Sequence, residues 1–180
     1  NREIEAQQTE FSETDAATSE QPAKDKTQPA SETETSGEPI SMISGEELLP
    51  LVDAVLPGPM PFEWKRTYRS SLPRNIGMGC GWTHSGYEFI EITDTSAAYF
   101  DSEGREVPFA LPKVKQRSKY IPERWNLDRV SENGFILRKE GEWDRVFTRP
   151  DASVKRFNLV QMRHPAYVAP TEVLGVTQAE

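Results

Sequence analysis

Three side chains of this sequence could supply a nucleophile and its base, namely Cys80, His84 and His164. A cysteine is activated for attack when a neighbouring base takes its proton, so a cysteine hydrolase would need a histidine beside the thiol. One cysteine and two histidines among 180 residues offer such a pair readily by chance, and we favour a small buried thiol for Cys80. A zinc site needs about four clustered ligands, which these three residues do not supply.

A glycine-rich run over residues 77–81 is the next candidate, because glycine loops can hold phosphates. The run lacks the Lys-Ser/Thr pair of a P-loop, and no helix of the kind found in dinucleotide sites is predicted after it. We interpret it as a tight loop whose glycines allow Trp82 to pack.

Charged clusters occur at predicted turns and in one connection. The carboxylate pairs are Asp101/Glu103 and Glu140/Glu142. Turns face water, so we assign these pairs to solvated turns rather than to acid–base catalysis. A basic run contains Lys113, Lys115, Arg117, Lys119 and Arg124, with Tyr120 and Trp125 among them. We interpret this run as a solvated connection or a contact to an acidic neighbour, and we predict no catalytic residue, cofactor or metal ligand.

The most patterned stretch covers residues 56–71. Prolines at 57, 59 and 61 fix the backbone in an extended conformation. Alternation then predicts a strand with an aromatic, buried face and a charged, wet face. The first face contains Phe62, Trp64, Arg66, Tyr68 and Ser70, and the second contains Glu63, Lys65, Thr67 and Arg69. Arg66 on the apolar face requires a carboxylate, backbone carbonyls or a ring, so we predict a structural cation–π contact or a buried ion pair.

Further strands, with no convincing helical period, predict a mostly β fold, an antiparallel meander. The predicted strands are 87–93, 97–100, 106–110, 134–139, 143–148, 154–161 and, more weakly, 173–176. Residues 97–110 form a hairpin in which Gly104 takes a positive φ, and residues 111–125 form a long connection. Because an open meander leaves unpaired backbone groups at its edges, we expect neighbouring structure to pair with it.

Composition divides the chain after residue 47. The first 47 residues contain twelve acidic and three basic residues and have net charge -9, whereas the remainder has net charge +1. The first part cannot bury enough apolar surface to offset its chain entropy, so we predict a disordered acidic linker at 1–47 and a β-rich domain at 48–180. A near-neutral domain offers no basic stripe for nucleic acid. The sequence contains no apolar run long enough to cross a membrane, and its start at Asn1 suggests a piece of a longer protein.

Three pieces of the sequence resemble, in order, the N-terminal region of the Rhs/YD-repeat proteins, the bacterial polymorphic toxins. The first piece contains Pro57, Gly58, Pro61, Trp64, Arg66, Tyr68 and Ser70. The second is a Gly-x-Gly-Trp element made by Gly79, Gly81 and Trp82. The third is an Asp-x-x-Gly-Arg hairpin followed by Pro-Phe, with Asp101, Gly104, Arg105 and Phe109. The Asp-Pro and Gly-x-Lys elements usually found upstream are not visible, and the chain contains no Tyr-Asp repeat.

The resemblance implies a structural role. In this family the repeats wind into a β shell that encloses a C-terminal toxin, and the N-terminal region helps to close it. The listed residues would then be structural or interface residues of a non-catalytic fragment. The partners implied are the rest of the shell with its toxin and, upstream, the spike protein and adaptor chaperone of a type VI secretion machine. The protein would leave the bacterial cytoplasm by that machine and reach a target cell.

Two explanations fit the end of the chain at Glu180. One is an arbitrary boundary, and the other, suggested by the resemblance, is that the precursor is cut there and the fragment stays bound noncovalently. Two other interpretations stay open. One is a free-standing β binding module for a carbohydrate or a cell surface. The other is a hydrolase that uses Cys80.

Overall fold

The computed structural model describes residues 18–19, 45–58, 62–164 and 171–172, and within these residues every regular element is a strand. The mostly β fold predicted from the sequence is therefore confirmed. The strands are β1 Thr18–Ser19, β2 Leu48–Leu56, β3 Phe62–Arg69, β4 Trp82–His84, β5 Phe89–Ile92, β6 Ser96–Phe100, β7 Glu106–Ala110, β8 Arg117–Tyr120, β9 Trp125–Ser131, β10 Gly134–Arg138, β11 Asp144–Thr148, β12 Arg156–Arg163 and β13 Thr171–Glu172. The described part of the chain contains no helix that could cross a membrane.

These strands form two sheets. The large sheet has the order β1-β8-β9-β10-β11-β12-β5-β6-β7, and β13 also pairs with β12. From β8 to β12 each strand pairs antiparallel with the next one in the sequence, which is the predicted meander. The small sheet has the order β2-β3-β4, again antiparallel.

The chain divides into two units. In the large unit the structure describes 18–19, 90–97, 108–164 and 171–172, and in the small unit it describes 45–58, 62–89 and 98–107. The predicted boundary after residue 47 stays a prediction, because most of 1–47 lies outside the described residues.

The core of the large unit is apolar and comes from its meander. Leu127, Phe135, Leu137, Phe147 and Phe157 are completely buried. The rings of Phe135 and Phe157 meet edge to face, with centroids 4.7 Å apart. Burying each such side chain stabilises the fold by about 1.5–3 kcal/mol, so this layer is the main source of stability for the unit.

Both predicted hairpins are present. They could be predicted because the turn residues lie close together in the sequence. Gly104 and Gly141 have φ of 77° and 80°, which a glycine tolerates. The prediction of one long connection over 111–125 was wrong, since that stretch contains β8 and the start of β9. Ser118 and Tyr120 of β8 are buried. The basic side chains of Arg117 and Lys119, which alternate with them, obscured a short pattern of period two.

β2 was also missed as a strand. Proline cannot donate to a ladder, so a strand containing Pro50 is expected only at a sheet edge. β2 does lie at an edge of the small sheet, and the prolines that follow it made the whole region resemble an extended linker.

Candidate functional site

The motif-bearing strand β3 buries the opposite face from the one predicted. Thr67 and Arg69 on the charged face are 0% and 2% exposed, whereas Phe62 and Trp64 on the aromatic face are 37% and 36% exposed. The prediction of a buried aromatic face and a wet charged face was therefore wrong. The physical reason is a set of buried partners for Arg69.

Arg69 is the centre of a buried polar cluster. Its Nη1 lies 3.0 Å from Glu46 Oε2, and both side chains are at most 5% exposed. Its Nε donates to the carbonyl of Glu103 at 2.8 Å. The hydroxyl of Ser71 donates to the other carboxylate oxygen of Glu46. A buried charge is tolerated when it is paired and hydrogen-bonded, so Glu46, Arg69, Ser71 and Glu103, here called the Arg69 cluster, explain why this face turns inward.

The hairpin between β6 and β7 contributes Glu103 to the cluster. The Asp101 carboxylate accepts the N–H groups of Glu103 and Arg105, each at 2.9 Å, and the Nε of Arg105 at 2.6 Å. Burial raises the pKa of Asp101, against the opposing effect of the Arg105 guanidinium and its backbone donor. Lys65 of β3 reaches Glu103 at 2.6 Å. The Asp-x-x-Gly-Arg motif is thus a rigid turn that holds Glu103 against β3.

Arg66 makes both an ion pair and a cation–π contact, the two kinds of contact that the sequence suggested. The sequence did not identify the partners. Its Nε and Nη2 donate to the two carboxylate oxygens of Asp53 at 2.5 and 2.7 Å. The guanidinium carbon lies 5.4 Å from the ring centroid of Trp82. Both charged side chains are 34% exposed, so the pair is not the buried one predicted. The hydrogen bond from Arg66 lowers the pKa of Asp53.

The aromatic side chains form two contacting groups on the other face of the small sheet. Trp64 stacks on His84, with centroids 4.8 Å apart, and His84 contacts Tyr87 at 5.9 Å. Tyr68 contacts Trp82 across the strands at 5.4 Å. The N–H of Gly86 donates to Nδ1 of His84, and burial lowers the pKa of this imidazole. We call Phe62, Trp64, Arg66, Tyr68, Trp82 and His84 the aromatic face.

The Gly-x-Gly-Trp element allows close packing against β3, which is a different contact from the packing of Trp82 that the sequence suggested. Gly79 and Gly81 have φ of 99° and 85°. A Cβ on Gly81 would lie 2.5 Å from Cε2 of Tyr68 and 2.9 Å from the carbonyl oxygen of Arg69. No side chain fits there, so glycine is required for the loop to approach β3.

The remaining predicted residues are scattered. Pro57 and Gly58 are exposed after the end of β2. Phe109 is buried in the large unit, with its ring centroid 6.2 Å from that of Tyr120. Pro61 and Glu180 lie outside the described residues, so cleavage after Glu180 stays a prediction.

The geometry does not assemble the Cys80 hydrolase. Cys80 is exposed, so the prediction of a buried thiol was wrong. Within the described residues its thiol has no hydrogen-bond partner, while the His84 ring is held by Trp64 and Gly86. No group of three potential metal ligands occurs in the same part of the chain.

Sequence analysis missed the polar residues that organise the site. Glu46 and Glu103 lie 23 and 34 residues from Arg69, and Asp53 lies 13 residues from Arg66. The available signal was the repeat of cations along one face of β3, since two cations on a sheet face require carboxylates opposite them.

β2 exposes apolar side chains along an edge. Val52, Val55 and Leu56 are 55%, 55% and 60% exposed. Within the described residues β2 pairs only with β3, so its second edge is without a neighbouring strand. An exposed apolar edge of this kind favours pairing with another strand.

Comparisons with known proteins find toxins among the relatives of this chain. A family profile described as a domain of unknown function, DUF6531, matches residues 37–109. The chain is 32% identical over 113 residues to Toxin protein Tse5 of Pseudomonas aeruginosa, an alignment that covers 61% of this chain and 9% of that protein. It is 28% identical over 109 residues to Double-stranded DNA deaminase toxin A of Burkholderia cenocepacia, covering 59% and 8%.

The chain is thus similar to segments of two toxins, and it spans less than a tenth of the length of these curated relatives. These matches agree with the resemblance to the N-terminal region of the Rhs-type polymorphic toxins.

Proposed function

We propose that this chain is a non-catalytic, structural N-terminal part of an Rhs-type toxin and helps to close a β shell around a C-terminal toxin domain. The observation that carries the proposal is the apolar edge strand β2. Three of its aliphatic side chains are more than half exposed, and its outer edge lacks a partner among the described residues. A strand of this kind suits addition to a larger sheet.

The chemistry of the site supports a structural role. Arg69 is bonded to Glu46, Arg105 to Asp101 and Arg66 to Asp53, so the cations of the motif are engaged by carboxylates of the same unit. Groups that neutralise one another leave little reactivity for a substrate. Their effect is to hold β2, β3 and the hairpin at residues 101–105 together.

The proposal includes partners on both sides of the chain. The rest of the shell would pair with β2 and cover the aromatic face. The acidic residues of 1–47 would link this unit to the spike protein and adaptor chaperone of a type VI secretion machine, which exports the protein from the bacterial cytoplasm. If the chain is cut after Glu180, strand pairing over a standard interface area of about 1,600 Å² would retain it.

The test uses the full-length parent protein with Val52→Lys/Val55→Lys. We expect limited proteolysis to reach the C-terminal toxin segment in this variant and not in the wild type, because two charges on the apolar edge oppose pairing. The matched control is Val160→Lys, since Val160 is an exposed strand residue of the large unit. Equal protection of the toxin segment in the wild type and the double variant would contradict the proposal.

A second candidate is a free-standing module that binds carbohydrate or a cell surface. The partly exposed rings of Phe62 and Trp64 favour it, because exposed aromatic rings are common contact residues in binding sites. A glycan array with the chain 1–180 distinguishes the two. A specific glycan signal lost in Trp64→Ala supports the module, whereas the structural role predicts no such signal.

A further inference from the structure

Strand β8 of the large unit lies one strand from the edge of its sheet. β8 pairs with β9 on one side. On its other side the described residues contain only β1, which pairs in parallel with Thr18 opposite Lys119 and Ser19 opposite Tyr120. β1 therefore occupies a position where β8 would otherwise end the sheet with unpaired backbone groups.

The surroundings of β8 are basic and their charge is not neutralised within the described residues. Arg117 is paired with the buried Asp128. The other basic residues of this stretch make no ion pair with any described residue, and they are Lys113, Lys115, Lys119 and Arg124. These four residues, here called the basic patch, therefore place uncompensated positive charges around one short strand.

The backbone bends sharply on either side of β8. Lys115 and Arg124 have φ of 66° and 58°, and they are the non-glycine residues with positive φ among those described. The N–H of Lys115 donates to the carbonyl of Arg129 at 2.7 Å, and that of Arg124 donates to the carbonyl of Ile121. Residues with a Cβ seldom adopt this conformation unless the surroundings hold it. The turns thus fix two exposed basic residues at the two ends of the strand.

The segment that contains β1 has the complementary charge. Residues 1–20 include six carboxylates and one arginine. The carboxylates are Glu3, Glu5, Glu10, Glu13, Asp15 and Glu20. Asp15 and Glu20 bracket β1 in the sequence, so the segment that contains β1 is opposite in charge to the basic residues around β8.

We infer that β8 is an acceptor edge for an acidic extended segment and that residues 1–20 of this chain are its occupant. Backbone pairing gives the register, and attraction between unlike charges gives the preference for this segment. The acidic region therefore does more than link domains, since it covers an edge that would otherwise be open to other strands. This inference does not depend on the proposed role in shell closure.

The experiment measures amide hydrogen exchange of residues 117–120 in the chain 1–180 at low salt. The tail-neutral variant Glu10→Gln/Glu13→Gln/Asp15→Asn/Glu20→Gln should exchange about ten-fold faster at the β8 amides that point away from β9. The matched control removes four carboxylates outside the segment, Asp25→Asn/Glu32→Gln/Glu34→Gln/Glu38→Gln, and should leave these amides unchanged. Equal acceleration in both variants would overturn the inference.

Two further variants separate strand pairing from charge attraction. Thr18→Pro/Ser19→Pro keeps every charge and removes both backbone donors of β1, so it should also accelerate exchange in β8. Unchanged β8 protection in this variant would overturn the assignment of β1 as the occupant. Lys119→Glu should weaken protection, and adding Asp15→Lys/Glu20→Lys should restore it. The amides of β10 should be unaffected throughout, and a charge swap that fails to restore β8 protection while β10 stays protected would contradict the charge preference.

Discussion

The meander of the large unit and the small sheet differ in the side chains that they bury. The large unit places Leu127, Phe135 and Phe147 at complete burial. The small sheet instead buries Thr67 and Arg69 on one face. Aromatic and aliphatic residues of the small sheet remain partly exposed on its other face and along β2.

The meander and the small sheet are therefore held together by different interactions. The large unit has an apolar layer sufficient for a core of its own. The small unit also buries Leu48, Tyr99 and Val107, but its sheet is joined to the hairpin at residues 101–105 by the Arg69 cluster. The same sheet leaves apolar surface available for a partner. Large exposed apolar surfaces on a protein usually mark interaction sites, which is why the small sheet carries the proposed function.

The largest expected difference concerns aromatic residues from the two units. Phe135→Ala should destabilise the chain by about 3–5 kcal/mol, because it removes a buried ring from the core. Trp64→Ala should cost only about 1 kcal/mol, because Trp64 is 36% exposed and loses mainly its stacking on His84. Urea unfolding of both variants measures the difference. Equal losses would show that Trp64 belongs to a core and would remove the contrast between the units.

The Arg69 cluster gives the next effect. Arg69→Ala should destabilise the small unit by about 3 kcal/mol or more, because it leaves the Glu46 carboxylate buried without its cation. Arg66→Ala is the control, since its ion pair with Asp53 is one-third exposed and such pairs contribute little. Hydrogen exchange of β3 amides reports on the small unit directly. A loss of amide protection in Arg66→Ala as large as that in Arg69→Ala would contradict the role of the buried cluster.

A smaller effect is expected from glycines in the two units. Gly81→Ala should cost about 2–4 kcal/mol, because the new methyl group meets Tyr68 and the Arg69 carbonyl in addition to the strain of φ 85°. Gly141→Ala should cost about 1 kcal/mol, since its φ is similar but nothing lies within 4 Å. Thermal unfolding compares them. Similar losses would mean that backbone strain alone, and not close packing against β3, sets the requirement at Gly81.

The smallest effect is a dependence on pH. Burial lowers the pKa of His84 from its usual 6.5, so the folded state binds a proton less readily than the unfolded state does. The contribution of the neutral imidazole to the stability of the small unit is complete above pH 6.5. It declines as the pH falls below 6.5, and the decline ends below the lowered folded pKa. Stability of the small unit measured from pH 7.5 to 5 should therefore decrease less in His84→Gln than in the wild type, and parallel curves would contradict this assignment.

Local signals allowed much of the fold to be predicted. Asp101, Gly104 and Gly141 specify their turns within a few residues, and both hairpins were correct. The meander from β10 to β12 followed from alternating apolar residues. The strand β8 was missed because four residues rich in cations give too short a pattern.

The orientation of β3 could not be derived from its own residues. Alternation identifies two faces, but it does not decide which face is buried when one is aromatic and the other carries Thr67 and Arg69. That choice depends on Glu46 and Glu103, which are distant in the sequence. Apolar periodicity favours the aromatic face by default, and an isolated buried arginine would be too costly to predict without its partners.

The irregularity in β2 determines where this strand can change in length. On one side of it Val52 lies opposite Lys65, and on the other Ala54 lies opposite Trp64, so Asp53 is an additional residue without a partner across the ladder. Deletion of Asp53 would leave every other pair between β2 and β3 in its present alignment. A deletion elsewhere in β2 would turn the side chains between that position and Asp53 to the opposite face. Asp53 is therefore the position at which the strand tolerates the loss of one residue, and Arg66 would lose its carboxylate partner as a result.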